Sequence, residues 1–312
     1  MSDEPASANE AEANAISDAI GIWAPRGNEL RVVAGTAVLL ALFPFVFARM
    51  PVVSDLLQGY QSLATLILIW GIFALGFDLL LGYTGLLSFG HAAFWGGAAY
   101  AAGIFSQNVS GSPVLMVAAG TAFAVLLAWV LGFLSLRRGG IYFAILTLAF
   151  AQMLFYMSSS PLAFLTGGEN GFTGVETAEL FGMFPLEGEL PLVLETLLGT
   201  WLYLFVAVIT LLCVALAYRV LNSPYGMVFR AIRENEQRAE FVGLNVWRYR
   251  LMSFILSGLF AGIAGSLFTI HGSYVPLASF YWTTSGEVVI MTVLGGTGSL
   301  FGPVVGAAVY LY

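Results

Sequence analysis

Three ionisable side chains stand in or beside apolar runs, and they are where this sequence could do chemistry. Asp78 lies in IFALGFDLLLGYTG (72–85), His91 in SFGHAAFWGGAAY (88–100), and Glu287 directly before the run that resumes at Val288. A charged group in a membrane-length apolar stretch is costly and is a functional position by default, as part of a proton relay or a solute path. Each also has a structural reading. Asp78 can hydrogen-bond unwound backbone around Gly82–Gly85, His91 can pack beside Ala92, Ala93, Gly96 and Gly97, and Glu287 can be solvated near an interface. His91 and His271 are the only histidines and Cys213 the only cysteine, so no metal spacing and no disulfide is available within one chain. No acid, base and nucleophile cluster as an enzyme would need, and three scattered groups make a sparse relay.

The elements that hold these residues belong in a membrane. The chain has 312 residues, of which 59% are hydrophobic and 9% charged, with a mean hydropathy of +0.88, well outside the soluble range. The net charge of −7 is local in origin: six acids fall in residues 1–29 and six Glu between Glu169 and Glu195. No basic patch has the span that phosphate contacts require, which argues against nucleic acid. All eleven basic residues are Arg. Without Lys the chain cannot carry the phosphate-binding loop whose Lys reaches the β and γ phosphates.

In chain order, residues 1–29 read as a disordered acidic tail. This tail lacks the basic start and immediate apolar core of a cleaved signal. The rest, 30–312, reads as one all-α polytopic membrane domain of about eight spans. Val32–Ala48, Gln61–Leu81, Leu86–Phe105, Val114–Leu136, Ile141–Met157, Leu197–Val220 and Leu251–Ile270 are the first seven. The eighth, Val288–Leu294 with Leu300–Tyr312, is broken by GGTGS and contains Pro303. The chain stops inside this apolar run, which suggests a truncated sequence. TGLLSFG (84–90) and TGSLFG (297–302) match with one gap, so the two breaks could belong to pseudo-symmetric halves whose freed backbone groups line a path, or could match by coincidence. Gly85, Phe89, Gly296 and Gly298 therefore join Asp78 and His91 as pathway candidates. Small residues at Gly258, Ala261, Gly262 and Gly265 allow close helix approach.

With the N-terminus inside and alternating spans, ten Arg fall inside and only Arg49 outside, as the positive-inside rule expects. That topology puts 158–196 outside and the longest charged interval, 222–250, inside. In this loop Ser223 and Pro224 signal a helix start, and Asn235 can cap a short helix Glu236–Val242 that Gly243 stops in a left-handed turn. Ala239 and Val242 are three apart, beside Phe241, and form an apolar face that needs a cover. That cover is either the protein itself or the groove of a second protein.

FRAIRENEQRAEFVGLNVWRYR (229–250) resembles the coupling loop of ABC-importer permeases. GYTGLLSFGHAAFWGGAAY (82–100), RRGGIYFAILTLAFAQ (137–152), TGGENGFTGV (166–175) and GGTGSLFGP (295–303) together resemble the M-type permease of branched-chain amino-acid transporters, a family that includes urea-uptake permeases. The resemblance runs from about Leu30 to the end. It implies a permease in the plasma (inner) membrane of a prokaryote that carries Leu, Ile or Val, or else urea, without a cofactor of its own. The implied partners are a second permease of similar fold, two cytoplasmic ABC ATPase subunits, an external solute-binding protein that TGGENGFTGV could meet, and membrane lipid. Arg230, Arg233, Glu236, Ala239, Glu240, Val242 and Gly243 would then couple the chain to the ATPases. A self-sufficient secondary transporter or channel is the competing class, and transport by the purified chain alone would distinguish it.

Overall fold

The computed structural model describes residues 31–41, 61–137, 139–179, 186 and 200–312. The tail expected at 1–29, the end of the first expected span, Arg49 and most of 180–199 lie outside the described residues. The described chain is helical, apart from turns, connecting segments and an antiparallel bridge between Phe172 and Val275. In order the helices are α1 (Arg31–Ala41), α2 (Gln61–Thr84), α3 (His91–Asn108), α4 (Pro113–Ser135), α5 (Ile141–Ser159), α6 (Trp201–Leu221), α7 (Pro224–Glu234), α8 (Glu236–Phe241), α9 (Val246–Gly272), α10 (Trp282–Gly295) and α11 (Gly302–Leu311). Short helical turns at Ala163–Thr166, Gly168–Asn170 and Leu277–Phe280 complete the outline. Five helices, α2, α4, α5, α6 and α9, are long and apolar enough to cross a bilayer. This is an all-α, multi-pass membrane protein.

Three boundaries differ from the sequence reading for physical reasons. The span expected at Leu86–Phe105 starts only at His91, because the N–H groups of Gly85 and Leu86 bond back to Leu81 and Leu80 and close α2 in a left-handed turn at Gly85, φ +77°. Helix α9 starts at Val246, five residues before Leu251, because the Asn245 Oδ1 accepts the Arg248 N–H and caps it. The eighth segment breaks at GGTGS as expected, but its first part, α10, starts at Trp282, six residues before Val288, and Pro303 stands in the first turn of α11, where its missing N–H costs nothing.

Helix α9 is the centre of the bundle and packs against α4, α2 and α3. Its small residues permit this. A Cβ on Gly258 would run into Ala128, one on Gly262 into Ala124, and one on Gly265 into the Trp95 carbonyl. In a bilayer, where lipid tails compete equally for apolar surface, close backbone approach is what makes helix contact favourable. Buried hydroxyls add cross-helix bonds: Thr84 to Ser253 at 2.7 Å, Ser285 Oγ accepting from Ala92 N at 2.8 Å, and Thr269 donating to Ala99 O at 3.1 Å.

The loops sort onto two ends. At one, α4 meets the start of α9 through Phe133 and Trp247, and the turns after α2 and α10 meet α7. At the other, Phe172 pairs with Val275, Ala178 bonds to Gly111, and Tyr274 donates to Asn170 O. Tyr203, near the start of α6, donates to Leu40 O at 2.8 Å, which sets the last turn of α1 toward the second end and Arg31 toward the first. All eight arginines among the described residues thus sit at or toward the first, Arg-rich end.

Gly258→Leu is expected to force α9 away from α4 and to cost about 1–3 kcal/mol by overpacking. Thermal unfolding of the detergent-purified chain measures it, and an unchanged midpoint would contradict the close approach.

Candidate functional site

The sequence candidates converge at the Arg-rich end. Asp78 sits on the last turns of α2, 1% exposed, and its Oδ1 accepts the N–H of Gly298 at 2.8 Å. The expected partner was backbone around Gly82–Gly85, but the actual one belongs to the other broken segment, 220 residues away. Glycine at position 82 makes room for this, since a Cβ there would collide with both the Asp78 carboxyl and Gly298 N. Gly85 and Gly298, the second residues of the two Thr-Gly pairs, have matching left-handed φ of +77° and +81°. Gly296, at φ +94°, ends α10.

Helix α7 completes the group. Its buried face, Gly226, Phe229 and Ile232, fixes it to the bundle, and Gly226 admits the Leu221 backbone. Arg230 and Arg233 project from it toward the end of α2. The Arg233 Nη1 donates to the Gly82 carbonyl, and its stem lies along Gly85. A Cβ on Gly298 would stand 3.3 Å from the same Nη1. The guanidinium also acts electrostatically on Asp78. Arg230 lies over the Tyr83 ring, 5.4 Å from its centroid, as a cation–π pair. Gly82, Tyr83, Arg230, Arg233, Glu234 and Gly298 line a cavity of about 660 Å³ that opens at this end. Its chemistry is electrostatic and geometric: a carboxylate aligns one N–H and a guanidinium holds one carbonyl.

Helix α8 follows α7 with only Asn235 between them. Asn235 Oδ1 accepts the Arg238 N–H at 2.9 Å. Gly243, φ +90°, and Leu244 return N–H bonds to Glu240 and Ala239 in a Schellman stop. The expected single face of Ala239 and Val242 is split. Ala239 is buried against Ile232 and Val246, whereas Val242 falls in the cap beyond the last helical turn and is 76% exposed, beside Phe241 at 90%. Arg250 of α9 pairs with Glu236 through two bonds, Nη2 to Oε2 at 2.8 Å. Glu240 is exposed. Ser223 does not cap α7; its hydroxyl donates instead to Val220 O at 2.6 Å.

His91 stands apart from this group. It is fully buried, its Nε2 is 2.6 Å from Ser257 Oγ, and Phe77, Phe94 and Phe254 meet its ring edge-on. This is a packed core position. Phe89 is half-buried in the turn before α3, and Glu287 is half-buried on α10 within electrostatic range of Tyr310. Sequence reasoning missed Tyr83, Ser253, Ser257 and the Glu236–Arg250 pair, because each depends on contacts that no local period displays.

The family of branched-chain amino acid transport system permease components matches residues 59–312. The high-affinity branched-chain amino acid transport system permease protein LivM of Escherichia coli (strain K12) is 30% identical over 284 residues, covering 86% of this chain and 64% of the relative. A probable branched-chain amino acid transport permease protein LivM of Methanocaldococcus jannaschii is 24% identical over 226 residues, 69% of this chain and 61% of the relative. The probable LivH permease of that organism is 30% identical over 110 residues, 34% of this chain and 33% of the relative. The chain thus spans somewhat less than two thirds of the length of the LivM relatives it matches. No solved structure matches it.

His91→Ala is expected to open a cavity among three phenylalanines and strand the Ser257 hydroxyl, at a cost of about 2–4 kcal/mol. Thermal unfolding in detergent reads this loss, and a variant as stable as the parent would reopen a solute-binding role for His91.

Proposed function

The chain belongs to the family of branched-chain amino acid transport system permease components, and on that footing we propose that it is the membrane-crossing permease subunit of an ABC importer. The observation that carries the reading is the family match over 59–312, joined to a short exposed helix held rigidly at one end of the bundle. The Arg-rich end is cytoplasmic, by the positive-inside rule, and the N-terminus lies on that side. Two ABC ATPase subunits hydrolyse ATP there, and one of them receives Phe241 and Val242 in a groove, as an apolar helix end is bound in other complexes. Arg230, Arg233, Glu236, Ala239, Glu240 and Gly243 set the position of that contact.

The other permease is a chain of similar fold, a reading supported by the likeness to the Methanocaldococcus jannaschii LivH permease. An external solute-binding protein meets the opposite end, where Gly167–Gly171 and Tyr274 present a braced turn. The solute is leucine, isoleucine or valine, in keeping with the names of the relatives, and the path involves Asp78, Gly85, Phe89, Gly296 and Gly298. The membrane is the plasma (inner) membrane of a prokaryote. Solute moves because the permease interacts differently with ATP-bound and ATP-free partners.

Cys probes at Arg233 and Gln237 are expected to label only from the cytoplasm, and one at Glu176 only from outside. External labelling at Arg233 would invert the assignment.

Cells carrying the complete transporter are expected to take up labelled leucine saturably, with competition from isoleucine and valine. Saturable urea uptake that leucine does not compete with would move the substrate assignment to urea. Absence of ATP-driven uptake would remove the importer reading altogether.

A further inference from the structure

We infer that Arg233 is the positioning residue through which the α7–α8 loop moves both Gly-broken turns, 85–90 and 296–301, as one unit. The inference rests on the importer reading and adds the route by which a push on α8 reaches the membrane segments.

Four observations converge on it. Arg233 is in the last turn of α7, two residues before the Asn235 that caps α8, so the helices share a rigid corner. Its guanidinium donates to Gly82 O, the carbonyl that precedes the first break. The same nitrogen lies where a Cβ on Gly298, in the second break, would stand 3.3 Å from it, and the Gly298 N–H is held by Asp78 Oδ1 at 2.8 Å. The second Asp78 oxygen, buried, has no hydrogen-bond partner among the described residues, so the carboxyl is held by the Gly298 N–H at Oδ1, with the Arg233 guanidinium as a charge in its neighbourhood. A carboxylate removed from water stays ionised at tolerable cost only with such compensation. Displacing α8 therefore moves Arg233, which pulls on the Gly82 carbonyl at the end of α2, and the Asp78 carboxyl one turn earlier carries the Gly298 N–H with it. Gly85, Gly296 and Gly298 hold positive φ and supply backbone that can swing without a Cβ clash. Arg230 is not equivalent, since its contact is the Tyr83 ring and not a break.

The test uses the complete transporter in liposomes, with uptake and ATP hydrolysis measured together. The labelling rate of Thr297→Cys, in the second break, is read with and without trapped ATP. In the parent, trapping ATP is expected to change that rate about fivefold or more, a coupling of ordinary size. Arg233→Ala is expected to abolish the change and to lower uptake per ATP hydrolysed about tenfold, with the subunits still assembled. Arg233→Lys, which can reach Gly82 O but lacks the fork, should recover part of both. Asp78→Ala should resemble Arg233→Ala, and the double variant should be no worse than either single one.

Uptake and hydrolysis falling in proportion, with the Thr297→Cys response intact, would overturn the inference and leave Arg233 as an ATPase contact. Unchanged uptake per ATP would overturn it too. A parent complex with no ATP-driven uptake would instead defeat the importer reading beneath it.

Discussion

The buried carboxylate of Asp78 is the constraint on which this end of the structure depends. Removing a carboxylate from water costs on the order of several kcal/mol unless donors and charge replace the solvent. Here the donor comes from a distant segment, the Gly298 N–H, and the Arg233 guanidinium grips the Gly82 carbonyl beside it and adds positive charge nearby. Glycine at 82 and 298 is what lets two backbones meet beside the Asp78 carboxyl and the Arg233 guanidinium. The breaks after α2 and α10 thus have defined geometry despite lacking helix, because the Gly82 carbonyl and the Gly298 N–H are bonded within the protein.

Away from that junction the bundle is held by close approach and scattered hydroxyls. Helix α9 runs from the charged loop through the centre, with Gly258, Gly262 and Gly265 against α4 and α3 and with Ser253 and Ser257 bonded to Thr84 and His91. Its Arg250 holds Glu236 of α8 at its base. The helix that fills the core is therefore also the one that anchors the exposed helix, and the two ends of the loop, α7 and α9, are both packed on α2.

Much of this was legible in the sequence where the signal is local. The Asn235 cap, the Gly243 stop, the break at GGTGS and the arginine asymmetry follow from residue type and position, and each corresponds to a described feature. The partner of Asp78 was not legible. Residue type indicated that the carboxylate needed donors, but the donor lies across the chain and is a backbone N–H that any residue would offer. Ala239 and Val242 misled for a related reason: three-residue spacing implies a shared face only while the helix lasts, and α8 ends at Phe241. His91 was ambiguous because burial is what separates a packed imidazole from a ligand, and the cage of Phe77, Phe94 and Phe254 is drawn from three separate helices.

The division within α8 bears on how a soluble partner could act on a membrane segment. A partner that shifts an equilibrium must contact an element that moves with the states it distinguishes, because a ligand bound equally to both shifts nothing. Phe241 and Val242 are the accessible part, while Ala239, the Glu236–Arg250 pair and the Asn235 corner bind the same helix to α7 and α9. A helix tied at three points cannot absorb a push by bending alone, so the displacement passes to what it is tied to. One tie leads to α9 and the bundle core, where small residues packed backbone to backbone leave little slack. The other leads through Arg233 to turns built on positive-φ glycines, which are the more compliant. Motion imposed at α8 is therefore taken up in the two breaks and not in the core.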